Sequence, residues 1–222
     1  MHYMNYNTRN KFIVKSLIIT LLSTISCFIL VLLIPRTNYK SVRDGVEIKN
    51  IHGISNNVVI KSEYNGKKVV GIGTRGLTNQ TIRQVSFEAD SCIEYIERRA
   101  FYSSKITFIS IPKSVKYIYQ NAFSYSLVEE VNFQEGSSLE AISGSMFFEC
   151  SNLKRINIPE SVKSIGTFAF FKCTNLKEIT IPDGVKVYAD AFLYCNLTIY
   201  CNDTKNFEEG YNNNANITIL NY

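Results

Sequence analysis

The chain has 222 residues, an apolar fraction of 45% and a formal charge of +5, enough apolar material for one sizeable core. Residues 1–45 hold 6 basic and 1 acidic residue (6 − 1 = +5), whereas residues 46–222 hold 18 of each. The main part of the chain therefore lacks the basic footprint that nucleic-acid binding needs, and its six cysteines are too few for a disulfide-dense framework.

Residues 1–11 are polar and weakly basic, and residues 16–34 then run for 19 positions without a charge. That run is long enough for a membrane-spanning helix, and Lys15 at its edge is placed to snorkel. We expect an uncleaved signal anchor over residues 12–34. A signal peptide would have a shorter apolar region and a small-residue cleavage site. Cys27 only faintly matches a lipid-modified cysteine, because it lies inside the run. Basic residues flank the run on both sides, so the positive-inside rule is nearly balanced. The basic start places the N-terminus inside and the large domain outside.

Residues 35–45 read as a linker. Around Val46 to Ile48 and Val58 to Ile60, β-branched residues mark strands, and Asn65-Gly66 marks a turn. Residues 46–70 are expected to form a capping hairpin, since a stacked array needs atypical ends.

From residue 71 a unit repeats. Phe101, Phe123, Phe147, Phe170 and Phe192 are spaced by 22, 24, 23 and 22 residues. Five positions before each stands Ile96, Ile118, Ile142, Ile165 or Val187. Just before each stands Ala100, Ala122, Met146, Ala169 or Ala191, and three after each comes Ser104, Ser126, Cys150, Cys173 or Cys195. A weaker copy surrounds Gly76-Leu77. Each unit also carries a short period-2 pattern such as Ile156-Asn157-Ile158-Pro159, the signature of a strand with one buried face. A fixed period of this length indicates a solenoid. We read residues 71–195 as a right-handed coil of about six repeats, each about 23 residues long, whose strands stack into a parallel sheet. Residues 196–222 break the period and read as a C-terminal cap with a mobile Asn-rich loop.

The pattern L-x-x-I-x-I-P…V-x-x-I-G-x-x-A-F-x-x-C resembles the BspA-like (Treponema-type) leucine-rich repeat. The match spans residues 71–195, and the preceding Tyr64-Asn65-Gly66-Lys67-Lys68-Val69 stretch is similar to that family's entry. Departures are Gly76-Leu77 in the first copy, Met146 in place of Ala, and a shortened link in the last copy. The resemblance implies a surface or secreted protein used in adhesion or protein binding.

Strand alternation selects the face for such binding. Inward isoleucines leave Gln84, Ser86, Phe108, Ser110, Glu130, Asn132, Arg155, Asn157, Glu178 and Thr180 pointing out. They form our candidate face for a protein or glycan partner. The alternatives are a solvated face on a spacer or coat unit and, more remotely, an enzyme. No catalytic, cofactor or metal site is expected. His52 is the only histidine beyond the N-terminal segment, which leaves Ser or Cys nucleophiles without a base. Gly71-Ile72-Gly73-Thr74-Arg75-Gly76 fits G-x-G-x-x-G, but no long helix follows it. Cys150, Cys173 and Cys195 lie one per coil, unlike paired zinc ligands, and read as a buried row of thiols. Asn79, Asn196, Asn202 and Asn216 head N-x-[ST] sequons, weak glycosylation candidates in an Asn-rich chain.

Overall fold

The computed structural model describes residues 36–52, 55–78, 81–211, 213 and 216–221. Its strands in chain order are β1 (Arg36–Val42), β2 (Gly45–His52), β3 (Asn57–Ile60), β4 (Glu63–Tyr64), β5 (Lys67–Ile72), β6 (Gln84–Phe87), β7 (Tyr95–Ile96), β8 (Phe108–Ile111) and β9 (Tyr117–Ile118). They continue with β10 (Glu130–Phe133), β11 (Ala141–Ile142), β12 (Arg155–Ile156), β13 (Ser164–Ile165), β14 (Glu178–Thr180), β15 (Lys186–Val187), β16 (Asn196–Tyr200) and β17 (Asn216–Leu220). The strands build two walls of a parallel solenoid. The first wall stacks β3, β6, β8, β10 and β12, then β14, β16 and β17. The second stacks β2, β5, β7 and β9, then β11, β13 and β15.

The Ala-Phe corner joins the second wall to the first in each repeat. Phe101, Phe123, Phe147, Phe170 and Phe192 are fully buried. Their rings stack at 4.7, 5.3, 5.4 and 5.4 Å between centroids, close to the rise of about 4.8 Å between paired strands. Where alanine precedes the ring the next coil approaches closely: Phe101, Phe147 and Phe170 donate their N–H to the carbonyls of Ala122, Ala169 and Ala191 at 2.7–2.8 Å, against 3.0 Å from Phe123 to Met146. Two residues before and two after each phenylalanine, the backbone is left-handed. Arg99, Ser103, Asn121, Tyr125, Phe168 and Lys172 are examples, with φ of 53–61°. Such a conformation costs a non-glycine residue about 1–2 kcal/mol, and the hydrogen bonds it directs at the neighbouring coil offset this. Ser103 N–H reaches Ser124 O at 2.9 Å and Lys172 N–H reaches Leu193 O at 2.9 Å.

The array is longer than six repeats, and three boundaries change. Of the expected linker at residues 35–45, the described part is not a linker. From Arg36 the chain forms β1, which pairs antiparallel with β2 from Arg36↔His52 to Val42↔Gly45. Residues 46–70 hold the expected hairpin at Asn65-Gly66, where β4 pairs antiparallel with β5, but they are more than a cap: β2 pairs parallel with β5 and β3 pairs parallel with β6, a full coil without an Ala-Phe corner. The period-2 patterns of β2 and β3 face the same core as the repeats, so both strands also stack on the next coil. Residues 196–222 continue the stack as well. There β16 pairs parallel with β14 and β17 with β16, and Phe207 bridges to Val187 in the second wall. The expected mobile Asn-rich loop falls largely outside the described residues. So does the apolar run at residues 16–34; among the described residues no helix is long and apolar enough to cross a membrane.

Candidate ligand-binding face

The first wall brings the ten expected residues together on one surface, all exposed or half-buried. Gln84, Phe108, Glu130 and Arg155 occupy one column in direct register, and Ser110 and Asn132 lie opposite one another in the next. The same columns extend to residues the sequence reading missed. Val59 faces Ser86 and is 60% exposed. At the other end Thr198 faces Glu178 and Tyr200 faces Thr180. Their alternation is visible in the sequence, but both stretches lack the Ala-Phe corner that marks a repeat.

The wall is not continuous. Its ladder runs from β3 to β12 and resumes at β14, and no pairing joins β12 to β14 among the described residues. Asn157 shortens β12 on its β10 side. Its side chain accepts a hydrogen bond from Phe133 N–H at 2.9 Å and donates one to Phe133 O at 3.1 Å. A carboxamide offers the same donor and acceptor as a peptide group, so it takes ladder positions that the main chain would fill. The strand therefore ends at Ile156, which is only half-buried. Asn157 is thus not the free outward group expected from alternation; it is a structural bridge beside the opening.

The opening is a cleft of about 720 Å³ whose lining includes Glu130, Asn132, Arg155, Asn157, Glu178 and Thr180. Six of the ten expected residues meet there, while Gln84, Ser86, Phe108 and Ser110 lie on the neighbouring strands. Arg155 is ion-paired with Glu130 through Nε at 2.9 Å and through Nη2, and Lys154 pairs with Glu129 at 2.7 Å. Glu178 forms no ion pair among the described residues. The site offers charges of both signs between β12 and β14, which no strand pairing joins among the described residues.

The remaining motifs are absorbed by packing. A Cβ on Gly71 would fall 2.2 Å from the Tyr95 ring, and on Gly73 or Gly76 2.9 Å from the Ile48 carbonyl. The glycines admit the neighbouring coil, not a pyrophosphate. Tyr95, seated against Gly71, donates to Glu47 at 3.1 Å; burial and that carboxylate push its hydroxyl pKa up. The thiols of Cys150, Cys173 and Cys195 are buried and free. They donate to the Phe123, Phe147 and Phe170 carbonyls at 3.0, 3.2 and 3.0 Å. Burial pushes Cys150 and Cys195 up to about 12 and raises Cys173 as well. Of the sequons, Asn196 and Asn216 are exposed, Asn202 donates to the Asp183 carboxylate at 3.1 Å, and Asn79 lies outside the described residues.

A second aromatic row follows the outside of the corner. Tyr102, Tyr125, Phe148, Phe171 and Tyr194 are linked at 5.3, 5.6, 4.4 and 5.5 Å. The rings pair with one another, so this row reads as further inter-coil packing.

The thiol column makes a direct prediction. In the native protein half-buried Cys92 should react with iodoacetamide while Cys150, Cys173 and Cys195 stay unmodified until the chain unfolds, as mapped by mass spectrometry. Their folded pKa values lie above the unfolded value of about 8.5. Their contribution to stability is complete below that pH and is lost as pH rises towards 12.

A parallel stack with five coils turning on a buried phenylalanine suits one repeat type, and comparison decides which. The family model for the BspA type leucine rich repeat region matches residues 71–209 in six copies. The chain belongs to the BspA-type leucine-rich repeat family. This BspA-type array is similar to the crystal structure of the leucine rich repeat protein of Treponema pallidum, at 27% identity and a TM-score of 0.63, covering 83% of this chain and 78% of that one. It also shares the fold of the pneumococcal vaccine antigen PcpA, at 20% identity and a TM-score of 0.54, covering 82% of this chain and 59% of that one. No curated protein matches the sequence.

Proposed function

We propose that this BspA-type repeat protein is anchored by residues 12–34, displays its solenoid outside the cell, and binds a partner through the first wall. The open cleft between β12 and β14 carries this reading. A sheet built only as a spacer has no use for a broken ladder, because the interrupted pairing forfeits inter-coil hydrogen bonds. A protein partner fits best: an extended segment supplies main-chain donors and acceptors and charges of either sign. A glycan remains the second ligand class. Binding rather than catalysis is supported by the thiols, which are buried, hydrogen-bonded to main-chain carbonyls and held protonated.

Affinity spread over several coils consists of modest contacts. Arg155→Ala and Phe108→Ala should each weaken binding by about tenfold, the equivalent of about 1.4 kcal/mol, and leave the unfolding midpoint in place. Isothermal titration against a captured partner measures this. Unchanged affinity after substitutions across the whole face would refute the face, and recovery of nothing but copies of this chain from a surface lysate would favour a coat unit. Protease digestion on intact cells should remove the repeat domain; protection would overturn external display.

A further inference from the structure

Charge is segregated along the solenoid axis. Residues 36–75 hold 8 basic and 3 acidic residues, 8 − 3 = +5, whereas residues 76–222 hold 13 and 16, 13 − 16 = −3. All eight cations of the first group are exposed, and among the described residues only Lys40 forms an ion pair, with Glu47 at 3.1 Å. In the remainder six cations are ion-paired. Seven of the eight cations in residues 36–75 are thus without an ion pair among the described residues, against seven of thirteen in the remainder. The hairpin β1–β2 turns beside β5, where Gly45 sits against the Lys68 carbonyl, and Tyr39 stacks on Tyr64 at 3.9 Å. Arg43, Lys61, Lys67 and Lys68 therefore share one corner of the end face. At the other corner a cleft of about 560 Å³ is lined by Lys49, His52 and Arg75, with no acidic residue in its wall.

We propose that this end of the solenoid docks on an anionic lipid bilayer, phosphate headgroups meeting the lysine and arginine side chains. Which membrane it meets rests on the anchoring reading above. The cationic end and the uncharged run are adjacent: β1 begins at Arg36, two residues after Ile34. Two residues reach at most about 7 Å, inside the Debye length of about 8 Å at physiological salt. With no slack between run and fold, a solenoid anchored there presents this end to the bilayer surface. Half-exposed Tyr64 adds an amphipathic ring of the kind enriched at that depth. Docking holds the axis upright and carries the β12–β14 cleft away from the membrane.

Each basic residue near an anionic surface strengthens partitioning about fivefold, so the triple variant K61Q/K67Q/K68Q should lose about a hundredfold. The experiment reconstitutes the full chain in vesicles of phosphatidylcholine alone or mixed with phosphatidylglycerol. It reads lysine acylation and amide hydrogen exchange over β1–β5. We expect protection of this end on the mixed vesicles only, removed by high salt and by the triple variant. Equal protection on both compositions, or protection that survives the triple variant, overturns the proposal and leaves the cations as edge charges that deter strand pairing. Flotation with neutral vesicles in high salt tests the anchor separately. If the chain fails to float there, the anchor reading fails, and docking is judged by salt-sensitive flotation with the mixed vesicles, whose absence overturns it.

Discussion

Alanine at Phe170 is expected to destabilise the array by about 3–5 kcal/mol. The ring is fully buried and lies 5.4 Å from both Phe147 and Phe192. Its main chain is fixed on both sides: N–H donates to Ala191 O at 2.8 Å, and the carbonyl accepts from Cys173 N–H and Cys195 Sγ at 3.0 Å each. The flanking rings cannot close over the gap, because ladder bonds set the coil spacing. The cost should therefore sit near the top of the range, which depends on how far a site can collapse. In an array whose coils contact only their neighbours, the loss should appear first as faster hydrogen exchange over β13–β15 and then as a lower urea midpoint. A loss below about 1 kcal/mol would be typical of a site outside the core and would contradict this assignment.

Gly166→Ala is expected to cost about 1–3 kcal/mol. A Cβ at Gly166 would lie 2.6 Å from Gly144 N and 2.9 Å from Gly144 Cα. Both are backbone atoms, so no side chain can swing aside. The coils cannot part, because Gly166 N–H is bonded to Ile142 O at 2.8 Å and Ile142 pairs with Ile165. The sign decides the matter. Where space allows, Gly→Ala stabilises by about 0.4–1 kcal/mol through the unfolded state; a stabilised variant in urea titration would show that these coils do not touch.

The repeat was legible because its core positions demand particular residue types. A buried stacked ring needs Phe, and close approach of the next coil needs a small neighbour. Strand alternation likewise placed Arg155 and Glu178 on the outer face correctly. The missed parts use residues without such constraints. In β1, the sequence Arg36-Thr37-Asn38-Tyr39-Lys40-Ser41-Val42 is polar because it is an edge strand with exposed and half-buried positions. The last coils drop the Ala-Phe corner, yet Phe207 and Ile217 still pack against the core, so the period is lost while the stack continues. The left-handed corner positions carry Arg, Asn, Phe and Lys rather than glycine and leave no trace in composition. The cleft was the least visible feature. Asn157 and Asn132 occupy equivalent outward positions, and only the three-dimensional register shows that Asn157 turns back to hold the Phe133 main chain.

That cleft is the centre of the functional account, and site-resolved photo-crosslinking on intact cells tests it most directly. A photoreactive residue is placed at Glu178 or Thr180 beside the cleft, and at Lys116 or Lys163 on the second wall as controls, all exposed. The account predicts adducts to a partner from positions 178 and 180 and none from 116 and 163. Adducts from the second wall alone, or equal yields from all four positions, would contradict it.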